Sequence, residues 1–380
     1  EAGEASAARR QRAQEAWANL NAVIRELNSL PGYESFLAPP SLTDIAGAAE
    51  PAQPVVYLMT TPAGSLALIV HRLGSETRVE TVWAELTEAE LDLLLFGRAV
   101  ESGSAAPAVE GLLSAQEQGS AAQLAAIATV CPALGDRLMA PLAEQLRKLD
   151  ATGVTLIPAG RLNVLPLHAA DYAVGGARRV FLDEFQVDRA PSAVAAVRTR
   201  ERADSVAPAD LSALVVGNPL PLPAHLAPLP HAKVEAQLVA SLIPGEVSVL
   251  LATEATPTAV WYAMQSHRLL HLACHARFTP RFPQRSSLVF AQGKGIALDS
   301  IRALPLFGVR LVVLSACQTA LNDFRELPDE AIGFPTGFLE AGAAGVVGSL
   351  WPVDSRSTAA LMADFYQRVV AGTPPVEALR

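Results

Sequence analysis

Two stretches constrain this chain more than anything else in it: Arg268-Leu-Leu-His-Leu-Ala-Cys-His275-Ala-Arg-Phe278 and Arg310-Leu-Val-Val-Leu-Ser-Ala-Cys317-Gln-Thr-Ala320. Each reads as a buried strand that runs straight into a reactive side chain, His275 past the first and Cys317 past the second. If the strands are parallel neighbours, both side chains emerge at the same carboxyl edge of one sheet, where open α/β sheets carry their sites. The 42 positions from 275 to 317 hold a hairpin and one strand, enough for a crossover between such neighbours. A thiol beside an imidazole is the smallest useful nucleophile–base pair.

The surrounding pattern supplies that sheet. Strands are expected at 211–216, 247–251, 269–273, 311–314 and 346–348, with a small hairpin at 288–290 and 296–298. Helices are expected at 232–242, behind Thr256-Pro257, and around Phe334 and Phe338 with Pro335 in the first turn. A last helix buries Leu361, Met362, Phe365, Tyr366 and Val369. This alternation implies a mainly parallel sheet with helices on both faces.

The first half reads as a second α/β unit. Strands at 55–59 and 66–70 flank a turn at Pro62-Ala-Gly-Ser65, and Thr87 with Glu90 forms a capping box for a helix through Leu95. Residues 121–149 read as helical, with a break at Cys131-Pro132, and strands follow at 153–157, 180–182 and 185–188. The fold class is therefore α/β: two α/β units, with mainly parallel sheets flanked by helices on both faces. The expected organisation is a leading helix and connection over 1–39, a unit without paired reactive groups over 40–198, a polar linker over 199–210, and a catalytic unit over 211–380. The leading helix carries an apolar stripe of Trp17, Leu20, Val23, Ile24 and Leu27, which suits either closure of an upstream helical array or an ordinary leading helix.

Composition narrows the function. A chain of 380 residues that is 51% hydrophobic has ample core for two or three domains. No apolar run approaches the ~18 residues that span a membrane. The net charge of −9, without a basic patch, argues against direct nucleic-acid binding. Three cysteines, Cys131, Cys274 and Cys317, are too few and too odd in number for a disulfide framework, and suit a reducing cytoplasm. The chain opens Glu-Ala-Gly-Glu without Met and stops in what reads as the first turn of a helix, as a segment of a longer protein would.

From pattern alone, His275 and Cys317 read equally as a dyad and as a core histidine with a buried cysteine. His271 and His275 share a strand face while Cys274 takes the other, and no further Cys or His follows at ligand spacing, so no metal or other cofactor is expected. Cys274 reads as packed against a helix and His168 as structural. Asp329-Glu330 reads first as favourable charge at a helix N-terminus, and second as the acidic wall of a pocket.

Together these residues resemble the CHAT domain, a branch of the caspase-like cysteine peptidases that includes separase relatives. The resemblance rests on His-Leu-Ala-Cys-His275, Val-Leu-Ser-Ala-Cys317-Gln-Thr, Asp329-Glu-Ala-Ile-Gly333, Phe338-Leu-Glu-Ala-Gly342, Gly348-Ser-Leu-Trp-Pro-Val-Asp354 and Leu361-Met-Ala-Asp-Phe-Tyr366, with weaker landmarks at 30–37 and 157–162. It implies Cys317 as nucleophile, His275 as base, and the backbone N–H groups of Cys317 and Ala276 as oxyanion donors. The family usually has Gly where this chain has Ala276. Relatives that cut after Arg or Lys often carry an acid at the position of Ser315, so Ser315, Asp329 and Asp354 are the pocket candidates. The resemblance further implies a first unit lacking the catalytic pair, and upstream tetratricopeptide repeats. The expected function is a cytoplasmic cysteine endopeptidase that cleaves one or few partner proteins and is gated by upstream repeats or a sensor complex. Its rivals are a catalytically silent interaction module of the same fold and, more distantly, an acyltransferase using the same dyad.

Overall fold

A computed structural model describes residues 2–34, 36–97, 111–206, 211–226, 228–277, 279, 283–315, 333–351, 353 and 355–380. Residues 1–44 group as one unit and 45–380 as another. The smaller unit is built on helix α1 (Ala2–Asn28), and helix α2 (Leu42–Ala46) follows, with Ser41 and Asp44 bonded to each other at its start.

The first sheet has the order β3-β2-β1-β4-β7 and is mixed. Strands β1 (Val55–Thr61), β2 (Gly64–Leu73) and β3 (Glu76–Ala84) form an antiparallel meander. Gly64 makes the first turn possible: its φ is +144°, and a Cβ there would meet the Ala84 carbonyl oxygen at 2.7 Å. Helix α3 (Glu88–Phe96) starts at the Thr87–Glu90 capping box, as expected. Helices α4 (Leu112–Gln118), α5 (Ser120–Leu134) and α6 (Ala140–Lys148) follow. The expected break at Cys131-Pro132 is displaced. Pro132 sits inside α5, and the irregularity is a π turn at Gly135–Met139. Gly135 lies so close to Asp171 that a Cβ would fall 1.8 Å from its carbonyl oxygen, so strand packing sets the position of the distortion.

Strand β4 (Gly153–Pro158) runs parallel to β1, and a small hairpin, β5 (Asp171–Val174) with β6 (Ala177–Val180), precedes a helical turn, α7 (Phe181–Glu184). The strand expected at 180–182 therefore ends at Val180. Phe181 is buried and opens the turn, with its N–H donating to Ala170 and its carbonyl accepting from Phe185. Strand β7 (Gln186–Arg189) closes the sheet parallel to β4. One face packs on α3 to α6 through Val56, Leu58, Val154 and Leu156. The other packs Val55, Val70 and Ile157 against Ala46 and against Ala193 and Ala196 of helix α8 (Ala193–Ser205). Residues 199–205, read as a polar linker, are thus the second half of a helix capped by Ser192.

The second sheet is wholly parallel. Its order is β15-β14-β10-β8-β9, formed by β8 (Ala213–Pro219), β9 (Val247–Ala252), β10 (Leu269–Ala273), β14 (Leu311–Leu314) and β15 (Val346–Gly348). A small antiparallel sheet, β11 (His275–Arg277), β12 (Ser287–Val289) and β13 (Gly295–Ala297), lies within the β10-to-β14 crossover. Alternation along each parallel strand feeds two cores. Leu214, Leu270, Leu272 and Val312 pack with helices α10 (Pro257–Met264), α11 (Leu298–Arg302) and α12 (Phe334–Ala341). Val215, Leu269 and Val313 pack with α9 (Pro230–Leu242), α13 (Ser355–Val370) and α14 (Pro375–Ala378). Among the described residues no helix is long and apolar enough to cross a membrane.

Candidate active site

Strand β10 is the centre of the site. It lies between β8 and β14, and all five of its residues are buried. Its register with β14 pairs Leu269 with Leu311 and His271 with Val313, an offset of 42 residues. The same interval separates His275 from Cys317. The two strands thus run in step toward the carboxyl edge of the sheet.

The chain leaves β10 through Cys274, which turns into the core beneath the sheet at 1% exposure. His275 comes next and is half-buried. It opens β11 opposite Val289, so the imidazole rests on a strand at the carboxyl edge. Ala276 pairs with Leu288 and packs against the core, and Ser315 follows β14, half-buried. Cys317, Asp329 and Asp354 lie outside the described residues. The structure thus brings His275, Ala276 and Ser315 to the carboxyl ends of adjacent strands.

The two described thiols are poor nucleophiles. Burial pushes Cys274 up to about 12. Burial, then the Asp171 charge, pushes Cys131 up to about 11. Both stay protonated at neutral pH, and the thiolate is the reactive form. His168 is depressed to about 4 by burial, with the Arg189 guanidinium adding in the same direction, and so is neutral. Among the described residues no group of three or more His, Cys, Asp or Glu is placed to hold a metal ion.

One polar cluster escaped the sequence reading. His271 faces the helices across the sheet from Cys274, with its Nε2 3.1 Å from Glu235 Oε1 of α9. The N–H is not aligned on the oxygen, so this contact is electrostatic rather than a well-made hydrogen bond. On the other side, Tyr366 Oη of α13 lies 3.2 Å from His271 Nδ1, with the rings packed edge to face. All three residues are 0–2% exposed. The available signal was His271 itself, because a histidine inside an otherwise apolar strand needs buried polar partners.

The CHAT domain profile matches residues 129–380. The chain belongs to the CHAT-domain family. The match begins in α5 and takes in β4, β7 and the whole second sheet, a shorter span than the resemblance from about residue 30. Among solved structures, this CHAT chain is similar to the Arg-specific cysteine proteinase gingipain R, at TM-score 0.42 and 13% identity, covering 70% of this chain and 63% of that one. It is also similar to the complex of Porphyromonas gingivalis RgpB pro- and mature domains, at TM-score 0.40 and 11% identity, covering 70% and 64%. The chain thus spans less than two thirds of either structure's length. No curated protein matches.

Proposed function

We propose that this CHAT chain is a cysteine endopeptidase acting through Cys317 and His275. Family membership supports a peptidase fold, and one observation carries the reading further: the 42-residue register between β10 and β14 equals the spacing of the two residues. The chemical state of Cys131 and Cys274 supports it too, since neither is a usable nucleophile.

In this reading His275 takes the Cys317 proton, and the thiolate adds to the scissile carbonyl. The oxyanion is held by the backbone N–H groups of Cys317 and Ala276, and His275 returns the proton to the leaving amine. Water then attacks the thioester, which releases the acid and restores the thiol. Ser315, Asp329 and Asp354 wall the substrate pocket. The chemistry uses no metal or cofactor. The substrate is one or few partner proteins, access is gated by upstream repeats or a sensor complex, and a reducing cytoplasm keeps the thiol free.

The test combines the full-length protein, its trigger and its partner. Cys317→Ala should lower cleavage by ~10³-fold or more. Equal cleavage by variant and wild type would overturn the assignment. Ala276 favours a second reading, a silent interaction module, because its methyl packs where the family usually has Gly. A Cys317 no more reactive toward alkylation than an ordinary thiol of pKa about 8.5, with and without partner, would favour that module.

A further inference from the structure

The catalytic reading leaves Glu235, His271 and Tyr366 without a task. Their burial has a cost, since each polar group surrenders water and an apolar side chain of similar size would not. Burial drives the Tyr366 phenol up, and the Glu235 charge adds to this, so the hydroxyl stays protonated. It can then donate to His271 Nδ1, which leaves Nε2–H facing the Glu235 carboxyl.

The three groups come from three elements, and each element borders the site. Helix α9 follows the segment 219–229, α13 follows residues 349–354, and β10 ends where His275 begins. Apolar contacts tolerate sliding of one surface over another, whereas a carboxyl–imidazole contact and an O–H···N bond select one height along the strand. His271 lies four residues before His275, about 13 Å at strand rise. That is too far for direct action, but a central strand paired on both sides through His271 transmits displacement well.

We propose that Glu235, His271 and Tyr366 are positioning residues, which lock β10 against α9 and α13 so that His275 is presented at one fixed height at the sheet edge. The proposal rests on the reading of His275 as the catalytic base.

The test separates positioning from simple stability. Replacing a whole buried ion pair by apolar residues is often neutral or stabilising, whereas removing one partner is not. In the full-length protein, Glu235→Gln should therefore lower Tm, and the combined Glu235→Leu, His271→Leu, Tyr366→Phe variant should restore it. The His275 imidazole titration, followed by NMR and assigned with His275→Ala, should still be shifted in the combined variant. Tyr366→Phe alone removes a neutral hydroxyl and no charge, so a His275 shift in that variant reports displacement rather than a lost charge. Cleavage of the partner protein should show kcat reduced ~10–100-fold with KM nearly unchanged. Wild-type Tm together with wild-type His275 titration in the combined variant would overturn the proposal. If that variant does not fold, Tyr366→Phe, which removes one oxygen, carries the same readout, and an unmoved His275 titration and kcat would overturn it equally. Persistent cleavage by Cys317→Ala would remove the peptidase reading, while the NMR titration would still decide the positioning.

Discussion

At the scale of single residues, burial sets the state of the two described thiols. Cys131 and Cys274 are held protonated by burial, at about 11 and about 12. At pH 8 their thiolate fractions are about a thousandth or less. A small alkylating reagent should therefore spare Cys131 and Cys274 in the native chain and label all three cysteines after denaturation, as peptide mass spectrometry would show. Native labelling at Cys131 or Cys274 would contradict the burial described here. His275 and Cys274 are adjacent yet opposite in fate: alternation sends Cys274 into the core, and the start of β11 holds His275 at the edge. That alternation was legible in the sequence. The ownership of His271 was not, because its partners lie 36 positions before it and 95 after it, on helices whose packing no local pattern encodes.

At the scale of elements, β8 and α9 approach closely beside the site. A Cβ on Gly217 would fall 2.5 Å from Ala236 Cβ and 2.7 Å from the Ala232 carbonyl oxygen. Neither atom is the tip of a flexible side chain, so Gly217→Ala must push α9 off the sheet. We expect a loss of about 1–3 kcal/mol, read as a lowered urea midpoint with unchanged m. The central strands β8, β10 and β14 were readable because both of their faces are buried. Strand β3 was not foreseen: Glu76, Arg78 and Glu80 alternate with Thr and Val on a mostly exposed edge strand, which lacks an apolar run to mark it. Residues 199–205 were misread for a related reason, since the charged surface of α8 looks like a loop when its buried Ala193 and Ala196 go unnoticed.

For the larger unit as a whole, contacts between the two sheets' layers matter most. Arg202 of α8 donates to the Leu339 carbonyl of α12 at 2.7 Å, Arg380 donates to the Asp183 carbonyl, and Trp351 packs on the core of the first sheet. The layers of the first sheet are thus tied to elements of the second. His168 makes its stability pH-dependent. Its folded value of about 4 lies below the ordinary 6.5, so the unfolded chain binds the proton more readily between these values. Stability is complete above about pH 6.5 and falls as pH drops toward 4, by about 1–3 kcal/mol after allowance for partial solvent access. His168→Gln should flatten the pH dependence of the urea midpoint between pH 4.5 and 6.5 relative to wild type. An identical slope in both proteins would show that His168 is not the titrating group.

By itself the sequence determined the class of sheet, the strands at 269–273 and 311–314, and the capped starts of α3 and α10. Those features follow from periodicity and capping, which act over a few residues. Only the tertiary structure decided that β10 and β14 are neighbours in a 42-residue register, that β11 seats His275 opposite Val289, and that Glu235 and Tyr366 close on His271. Strand partners and burial depend on segments far apart in sequence, and they are selected by the packing of whole layers rather than by any one stretch of chain.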